Sequence, residues 1–596
     1  MKTLIRALLL TITGCVLFGS AAGQTQYTSY KSMIQKTESL TKEYPSLCSV
    51  RSLGRSAGNS EIMVLTIGTG DKDNKPGIAV LGGIEGSYIL SRELALGFAS
   101  SLLKESSTSE IRSLLDKITF YVFPDASPDA TEQFFRELKY ERNLNSRSTD
   151  DDRDFSFDED PFEDLDKNGY ITLMRVADPA GTFTESTEDN RVMVQSDLSK
   201  GQTGSYLVYS EGIDNDKDGS FNEDGAGGVA FNSNLTYNYE EFGTNTGLHP
   251  VSEPESKALL DFLFDRFNIY ATFTFGPQDN LNPQQRPMGP GGLPGSAQAL
   301  TTSPDQPQAQ GQGQVTAPPG QGQMPLMAQG QFPPMGSGQM PTGGQRRAMG
   351  MNRKITSIQK SDETIIKLVS DKYREITGTR GTPTPKTAPG NFMEWSYYHY
   401  GRYSFSTPAW WFPVERDKNP EAAFLKYAEE NKIAEVFVPW TEINHPDFPG
   451  KKTEAGGIKP FAMINPPADK LEDLIAKNYK FIVAVAGLHP ELEFLDTGIE
   501  NMGDNVFRIS LKVHNKGIFA TCTEAGQNNM WTRLMRISLE TADNQKFLSG
   551  QKVQRIQRLE GDASAEFSWL IMGKGTVRIT AGAINTGTIN TALELK

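Results

Sequence analysis

The chain has 596 residues, of which 37% are hydrophobic and 22% charged, and its formal net charge is −14. A chain of this length exceeds what one hydrophobic core organises, so we expect two or three domains. An acidic surface of this size repels phosphate backbones, which argues against a nucleic acid as the partner.

The first residues have the pattern of an export signal. Lys2 and Arg6 precede an apolar run, and small residues follow it. A signal peptide is therefore predicted at residues 1–23, which implies a periplasmic, secreted or cell-surface protein. The sequence around Cys15 resembles a bacterial lipobox, so a lipid anchor there stays open beside ordinary cleavage. The apolar run is too short to span a bilayer, and no later stretch is long enough, so no transmembrane segment is expected.

Beyond the signal, short apolar strands alternate with helical patterns. Strands are predicted at 61–67, 77–81, 118–123 and 269–275. Helices are predicted at 90–102, 254–267, 361–376 and 420–432. The third strand is stopped by a proline, and Ser252 with Glu255 has the spacing of a capping box before the second helix. Strands that alternate with helices in this way predict an α/β fold, with helices on the faces of a sheet.

Two regions depart from this pattern. Residues 283–352 are rich in Gln, Gly, Pro and Met and contain one aromatic residue. They are predicted to form a disordered insertion, because they cannot bury enough apolar surface to offset the entropy of ordering. In residues 491–596, apolar and polar residues alternate in short runs, which predicts a β-sandwich. The α/β domain then occupies residues 24–490.

Cysteine usage indicates no disulfide framework. After the predicted signal, the only cysteines are Cys48 and Cys522, which lie far apart in the sequence. Neither belongs to a Cys-x-x-Cys or a Cys/His metal pattern. Each is predicted to be a small buried residue.

A series of short motifs resembles, in order, a family of enzymes. They are Tyr-Thr-Ser-Tyr at 27–30 with Ser-Leu-Gly-Arg-Ser at 52–56, Gly-Gly-Ile-Glu-Gly at 82–86, Phe-Pro-Asp-Ala-Ser-Pro-Asp at 123–129, Gly-Val-Ala-Phe-Asn-Ser-Asn at 228–234, Ser-Glu-Pro-Glu at 252–255 and Phe-Ser-Thr-Pro-Ala-Trp at 405–410. Each motif is weak alone, but together they resemble the zinc carboxypeptidases related to carboxypeptidase A. The resemblance covers about 27–415 and implies a mixed sheet flanked by helices.

The resemblance also implies a zinc site, which the residues of this chain do not match. Family enzymes hold zinc with a His, a Glu and a second His, use a Glu as general base, and grip the substrate carboxylate with an Asn-Arg pair. At the three zinc-ligand positions this chain has Glu85, Tyr88 and a residue at or near Gly276. Pro408 lies at the position of the general base, and Asn232 followed by Ser233 lies at the position of the Asn-Arg pair. One carboxylate is not a tetrahedral site, so the zinc expected from the family is predicted to be lost.

The histidines do not restore the missing ligands. The chain has five, namely His249, His399, His445, His489 and His514. None precedes residue 249, so an error in the alignment cannot supply the first ligand. His399 lies among tyrosines and could face the cleft, but we expect neither it nor His249 to bind a metal.

Two stretches of an acidic insertion at 148–225 have the spacing of calcium loops. The first stretch offers oxygen atoms from Asp214, Asp216, Asp218 and Ser220, with Asp224 after them. The second offers Asp164, Asp166 and Asn168. Such hard ligands suit calcium rather than zinc, and a cation would offset the crowded negative charge. The sequence therefore predicts structural calcium, with a solvated acidic loop as the alternative.

Three functions follow from these observations. The first is an exported, catalytically inactive carboxypeptidase-like protein that binds a peptide or a cell-wall fragment. The second is an active zinc metallocarboxypeptidase with unrecognised ligands. The third is a structural surface protein braced by calcium.

Overall fold

The computed structural model describes residues 26–150, 155–158, 160–217, 219–222, 225, 227–282, 354–379, 388–415 and 418–596. The predicted signal peptide with Cys15 and the predicted disordered insertion lie outside these residues. The calcium candidates Asp218 and Asp224 also lie outside them. Among the helices that are described, none is long and apolar enough to cross a membrane.

The described residues form twenty strands and ten helices. The strands are β1 (Cys48–Arg55), β2 (Glu61–Ile67), β3 (Gly77–Leu81), β4 (Thr119–Phe123), β5 (Leu173–Ala177), β6 (Phe183–Glu185), β7 (Met193–Gln195), β8 (Tyr206–Ser210), β9 (Ile269–Phe275), β10 (Tyr403–Thr407), β11 (Phe437–Ile443), β12 (Thr453–Ile458), β13 (Leu492–Gly503), β14 (Val506–Asn515), β15 (Arg536–Glu540), β16 (Lys546–Ser549), β17 (Val553–Arg555), β18 (Ala563–Met572), β19 (Gly575–Ala583) and β20 (Gly587–Leu595). The helices are α1 (Tyr30–Glu43), α2 (Leu90–Lys104), α3 (Ser109–Lys117), α4 (Pro128–Thr131), α5 (Pro254–Asp265), α6 (Lys360–Thr377), α7 (Phe392–Glu394), α8 (Pro420–Glu430), α9 (Leu471–Ala486) and α10 (Glu524–Gln527).

A six-stranded mixed sheet is the centre of the α/β domain, in the order β1-β2-β4-β3-β9-β10. β4, β3, β9 and β10 run parallel, whereas β1 and β2 are antiparallel. All residues of the four parallel strands are buried, including the serines and threonines of β9 and β10, as expected for strands that are covered on both faces. The predicted α/β fold with a mixed sheet is therefore confirmed.

The carboxyl ends of the parallel strands define one edge of this sheet. The segment 82–88 follows β3, Asp125 follows β4, Gly276 follows β9 and Pro408 follows β10. In open α/β sheets, ligands bind outside the carboxyl ends of the strands. The fold thus brings the segments with the resembling motifs to one edge.

A second six-stranded sheet was not foreseen from the sequence. Its order is β11-β12-β5-β8-β6-β7, so four strands from the acidic insertion pair with two strands from 437–458. β12 joins the two parts by antiparallel pairing with β5, in which Thr453 lies opposite Val176. The acidic insertion is therefore anchored by a sheet rather than extended as a loop.

The C-terminal residues form two antiparallel sheets, β13-β14-β18-β16 and β17-β15-β19-β20. In β14 the exposed and buried residues alternate, so one face of the strand packs inwards. Leu511, Trp569 and Ile579 belong to the buried cluster between the sheets. This arrangement agrees with the predicted β-sandwich.

The capping box predicted before α5 is wrong. Glu253 occupies the N-cap position without a capping hydrogen bond from its side chain, and the Oγ of Ser252 donates to the Oε1 of Glu253 instead. Oε1 of Glu255 accepts the N–H of Ala57, 2.8 Å away. The Nδ2 of Asn234 also donates to the Oγ of Ser252 at 3.0 Å, so tertiary partners bind the side chains that the local spacing assigned to the cap.

Candidate functional site

The turn after β3 presents Glu85 at the carboxyl edge of the sheet. Gly83 has φ of 64°, and a Cβ there would collide with Oδ1 of Asp125, so the turn requires glycine. Behind the turn, the fully buried Arg92 pairs with Asp125 and contacts Glu132 at 3.1 Å. This ion pair holds the turn against the segment after β4.

Asn232 connects Glu85 to the segment after β9. Its Nδ2 donates to Oε2 of Glu85 and to Oε1 of Gln278, with both distances 2.9 Å. Its Oδ1 accepts the backbone N–H of Phe392, also at 2.9 Å. Asn232 and Gln278 are almost fully buried, whereas Glu85 is partly exposed. Sequence analysis singled out Glu85 and Asn232 but missed Gln278, since no family motif marked it.

Gly276, Tyr88 and Pro408 lie around this network. A Cβ added at Gly276 would lie 3.8 Å from the Cβ of Glu85. The N–H of Gly276 donates to the carbonyl of Thr407, the residue before Pro408, at 3.1 Å. The N–H of Tyr88 donates to the carbonyl of Glu85, also at 3.1 Å. The positions that align with zinc ligands and catalytic base therefore meet in one place.

The electrostatics of this place are acidic. The pKa of the Tyr88 phenol is raised well above its ordinary value, first by burial and then by the negative charges of Glu85 and Glu141. Oε1 of Glu141 accepts the N–H of Phe461 at 3.0 Å, which fixes that carboxylate nearby. The phenol of Tyr88 therefore stays neutral beside these two carboxylates.

The residues at this place do not fit a zinc ion. Tetrahedral zinc sites use His, Cys and carboxylate ligands, three or more of them from the protein. Here the groups that meet are a carboxylate, two side-chain amides, a phenol and a proline. Among the described residues, the one set of three acidic, His or Cys side chains close enough to share a metal is Asp164, Asp166 and Glu211, in the acidic insertion.

The five histidines lie elsewhere, each with a partner of its own. The pairs are His249 Nδ1 with the Pro250 carbonyl, His399 Nδ1 with Thr236 Oγ1 at 2.6 Å, His445 Nε2 with the Gly212 carbonyl at 2.7 Å, His489 Nδ1 with the Ala486 carbonyl and His514 Nδ1 with Ser564 Oγ. Burial lowers the pKa of His399, so its ring stays neutral at pH 7. No two of these contacts involve the same segment.

Two further residues frame the site. Ser233, at the position of the family's arginine, is half-buried and contributes no guanidinium. The buried Arg142, which the sequence did not single out, donates to the carbonyls of Leu144 and Asn145 at 2.9 and 2.6 Å. Its own carbonyl would lie 2.5 Å from a Cβ at Gly86, so the loop of Arg142 packs against the turn after β3.

The second acidic stretch folds as a tight turn. Oδ1 of Asp164 accepts the N–H of Asn168 at 3.0 Å, and Nδ2 of Asn168 donates to Oδ2 of Asp166 at 2.7 Å. Glu211 joins this turn from the end of β8, accepting the N–H of Leu165 at 2.9 Å. Burial raises the pKa values of both Asp166 and Glu211. Sequence analysis missed Glu211 because it lies 45 residues after Asp166.

The first acidic stretch shares the backbone shape of the second. Lys217 and Gly219 have φ of 70° and 97°, and Lys167 and Gly169 have φ of 62° and 84° at the matching positions. Oδ2 of Asp214 accepts the N–H of Gly219 at 3.1 Å. Asp216 and Ser220 have partners as well. Three of the five candidate ligands of this loop, namely Asp214, Asp216 and Ser220, therefore lie among the described residues.

Two family models match the chain. A model described as zinc carboxypeptidase matches residues 33–432, which is more than half of the 596 residues. A model described as a domain of unknown function matches residues 491–594. The first match covers the α/β domain with its carboxyl-edge site, and the second covers the sandwich.

Similar proteins support the same grouping. Carboxypeptidase B of Astacus astacus is 27% identical over 141 residues, which are 22% of this chain and 46% of that protein. Carboxypeptidase E of Caenorhabditis elegans is 25% identical over 181 residues, 28% of this chain and 38% of that protein. The chain therefore spans less than half the length of these curated relatives.

Two solved structures resemble the fold at low sequence identity. Thrombin activatable fibrinolysis inhibitor is 13% identical, with a TM-score of 0.39 over 78% of this chain and 75% of that chain. Carboxypeptidase A from Helicoverpa armigera is 16% identical, with a TM-score of 0.28 over 44% of this chain and 49% of that chain.

Proposed function

The chain belongs to the zinc carboxypeptidase family, and from that premise we propose that it is an exported, non-catalytic member that binds a peptide or a cell-wall fragment in the former active-site cleft. The observation that carries the proposal is the hydrogen-bonded set of Glu85, Asn232 and Gln278. A family enzyme needs an open metal position with imidazole ligands there. In this chain, the side-chain amide of Asn232 is instead hydrogen-bonded to the carboxylate of Glu85 and to the side chain of Gln278.

The general base is the second reason for a non-catalytic role. Peptide hydrolysis by this chemistry needs a carboxylate that accepts a proton from the attacking water. Pro408 follows β10 where the family has that acid, and a proline ring has no ionisable group. Without base and metal, a bound peptide has no route to hydrolysis in this cleft.

The charge of the cleft supports a ligand with a basic group. Glu85 and Glu141 act together on the Tyr88 phenol, and the guanidinium that would bind a terminal carboxylate is replaced by Ser233. Asn232 uses both of its amide N–H groups within the protein. We therefore expect recognition of a cationic side chain or amino group, rather than of a free C terminus.

Peptide binding tests this proposal. Pairs of lysine-containing hexapeptides, identical except for a free or an amidated C terminus, are titrated against the purified chain by calorimetry. The free and the amidated peptide of each pair are expected to bind with equal affinity. Glu85→Gln weakens the binding of both peptides by about tenfold, because it removes one charge–charge interaction. Glu110→Gln, which changes an exposed acid on α3, is the matched control. A requirement for the free C terminus contradicts the proposal.

Calcium in the acidic insertion is a second, structural part of the proposal. Its support is the approach of Glu211 to Asp164 and Asp166, whose ligand atoms lie within 4.8 Å of one another. Oxygen donors of this kind suit calcium. A bound ion would brace the sheet that carries the insertion, and the melting temperature with and without CaCl2 tests this.

A further inference from the structure

A groove lies at the edge of the central sheet opposite the cleft. Its volume is about 790 Å³. Asn74 and Phe267, which precede β3 and β9, form the wall from the α/β domain. The other lining residues belong to the C-terminal sandwich. Because the cleft lies at the carboxyl ends of these same strands, the groove is a separate surface.

Three arginines dominate the charge of this groove. Arg533, Arg536 and Arg555 line it and are exposed, and none of its lining residues is acidic. In the described part of the chain, no carboxylate forms an ion pair with any of the three. Arg533 lies over the ring of Phe267, 4.1 Å from the centroid. A protein with net charge −14 thus concentrates uncompensated positive charge in one place.

Two of these arginines face each other across a strand pair. Arg536 on β15 and Arg555 on β17 are direct partners in the antiparallel register. Like charges directly opposite each other destabilise a sheet. Arg578 on β19, in the same sheet, lies opposite Glu540 instead. The pairing of Arg536 with Arg555 therefore opposes stability, unless an anion lies between them.

We propose that this groove binds an acidic peptide segment of a partner protein. Guanidinium groups bind carboxylates through two parallel hydrogen bonds, so neighbouring arginines fit neighbouring acidic side chains. Leu534 and Val553 are 38% and 48% exposed in the groove and offer contacts to aliphatic side chains of the peptide. The volume falls in the range of sites that enclose ligands of a few residues.

The aromatic content of the groove favours a peptide over other polyanions. Phe267 is the single aromatic lining residue, and the guanidinium of Arg533 covers its face. Nucleic acid bases bind single-strand sites by stacking on exposed aromatic rings. The groove offers none, whereas carboxylates need only the guanidiniums.

Fluorescence anisotropy with a labelled peptide tests the proposal. The probe is a fluorescein-labelled peptide of about four residues that alternates glutamate with leucine, since a groove of this volume takes a ligand of a few residues. The full chain is expected to bind it saturably, and added NaCl weakens the complex by screening. Arg536→Gln with Arg555→Gln reduces affinity at least about tenfold, since both charged hydrogen-bonding partners are lost. Arg578→Gln leaves the affinity for the peptide unchanged.

Folding is controlled separately. Thermal unfolding of the double variant is expected at or above the temperature of the unaltered protein, because a like-charge contact is removed. If the double variant does not fold, Arg533→Gln, in the loop before β15, must show the loss of affinity. Absence of saturable binding overturns the proposal. An equal loss of affinity with Arg578→Gln also overturns it. The same holds if a glutamine–leucine peptide binds as tightly as the glutamate–leucine peptide, or if a sulfated oligosaccharide binds more tightly than that peptide.

Discussion

The side-chain amide of Asn232 lies 2.9 Å from the carboxylate of Glu85, in the position where a family enzyme binds its metal and its substrate. The second N–H of this amide donates to Gln278, and its oxygen accepts from Phe392. Both N–H groups and the oxygen of the amide therefore have partners inside the protein. A residue that resembles a substrate ligand is here part of the scaffold.

Removal of this amide is expected to destabilise the protein. Asn232→Ala leaves the Phe392 N–H without its partner and takes a donor from both Glu85 and Gln278. Loss of such buried partners costs about 1–3 kcal/mol in the free energy of unfolding. Urea denaturation measures the change. The neighbouring Ser233→Ala is the control and stays within about 0.5 kcal/mol, as expected for a site away from such networks. Equal effects of the two substitutions contradict this role.

Calcium is expected to stabilise the acidic insertion. Addition of CaCl2 to EDTA-treated protein raises the melting temperature at pH 7, and Glu211→Gln reduces the increase, because it removes one charged ligand. Differential scanning calorimetry measures both. Asp197→Asn, an exposed acid of the same insertion, is the control and keeps the full increase. A melting temperature that does not respond to CaCl2 excludes the site.

The pH dependence in EDTA has a defined sign. Burial raises the pKa values of Asp166 and Glu211 in the folded protein above their ordinary values near 4. The stability that these groups contribute is therefore fully present below the ordinary values, and it is lost as the pH rises through the raised ones. Calcium removes this loss at neutral pH. The two arms, with and without the ion, thus diverge as pH increases.

A buried ion pair joins α6 to the sandwich, beside hydrogen bonds of Ser361 and Asp362 with Glu524. Arg558 Nη2 lies 2.9 Å from Oδ1 of Asp362, and both side chains are nearly inaccessible. Arg558→Met leaves Asp362 buried without its cation, which costs about 3–5 kcal/mol. Arg508→Met, in the exposed pair with Glu500, costs at most about 1 kcal/mol and serves as the control. Chemical denaturation compares the two, and similar losses contradict the assignment.

The two described cysteines are expected to resist thiol reagents. Cys48 and Cys522 are 1% and 9% exposed, and burial raises the pKa of each thiol to about 11. The thiolate is the reactive form, so it is scarce at pH 8. A chromogenic disulfide is expected to label neither residue in native protein, and both after addition of guanidinium. Rapid labelling of the native protein contradicts this burial.

Strands of the central sheet are predicted from their apolar runs, because such a run is recognisable without knowing which distant strand it pairs with. The run that becomes β3 is apolar throughout, and the run that becomes β9 is apolar except for Thr272 and Thr274; strands buried on both faces have such a composition. The second sheet could not be found in the same way. β6 and β7 have three residues each, and β5 pairs with β12 more than 250 residues later. Strands this short and pairings this distant leave no periodic signal.

The candidate site was predictable where a motif marked it. Glu85, Tyr88, Gly276 and Pro408 follow or adjoin resembling motifs, and the structure places them at one edge. Gln278 was missed because an isolated glutamine has no spacing rule. For the same reason, no sequence pattern indicates that the amide of Asn232 donates to Gln278. The predicted capping box is absent because Ser252 and Glu255 bind tertiary partners, Asn234 and Ala57.

Zinc content and peptidase activity of the purified protein test the central claim most directly. The full chain is dialysed against excess zinc, freed of unbound metal, and analysed by atomic emission together with an assay for release of C-terminal residues from peptides. We expect less than one zinc ion per chain at the cleft, and no release of C-terminal residues above that of a buffer control. One zinc per chain that is lost in Glu85→Gln, together with release of C-terminal residues, would contradict this expectation.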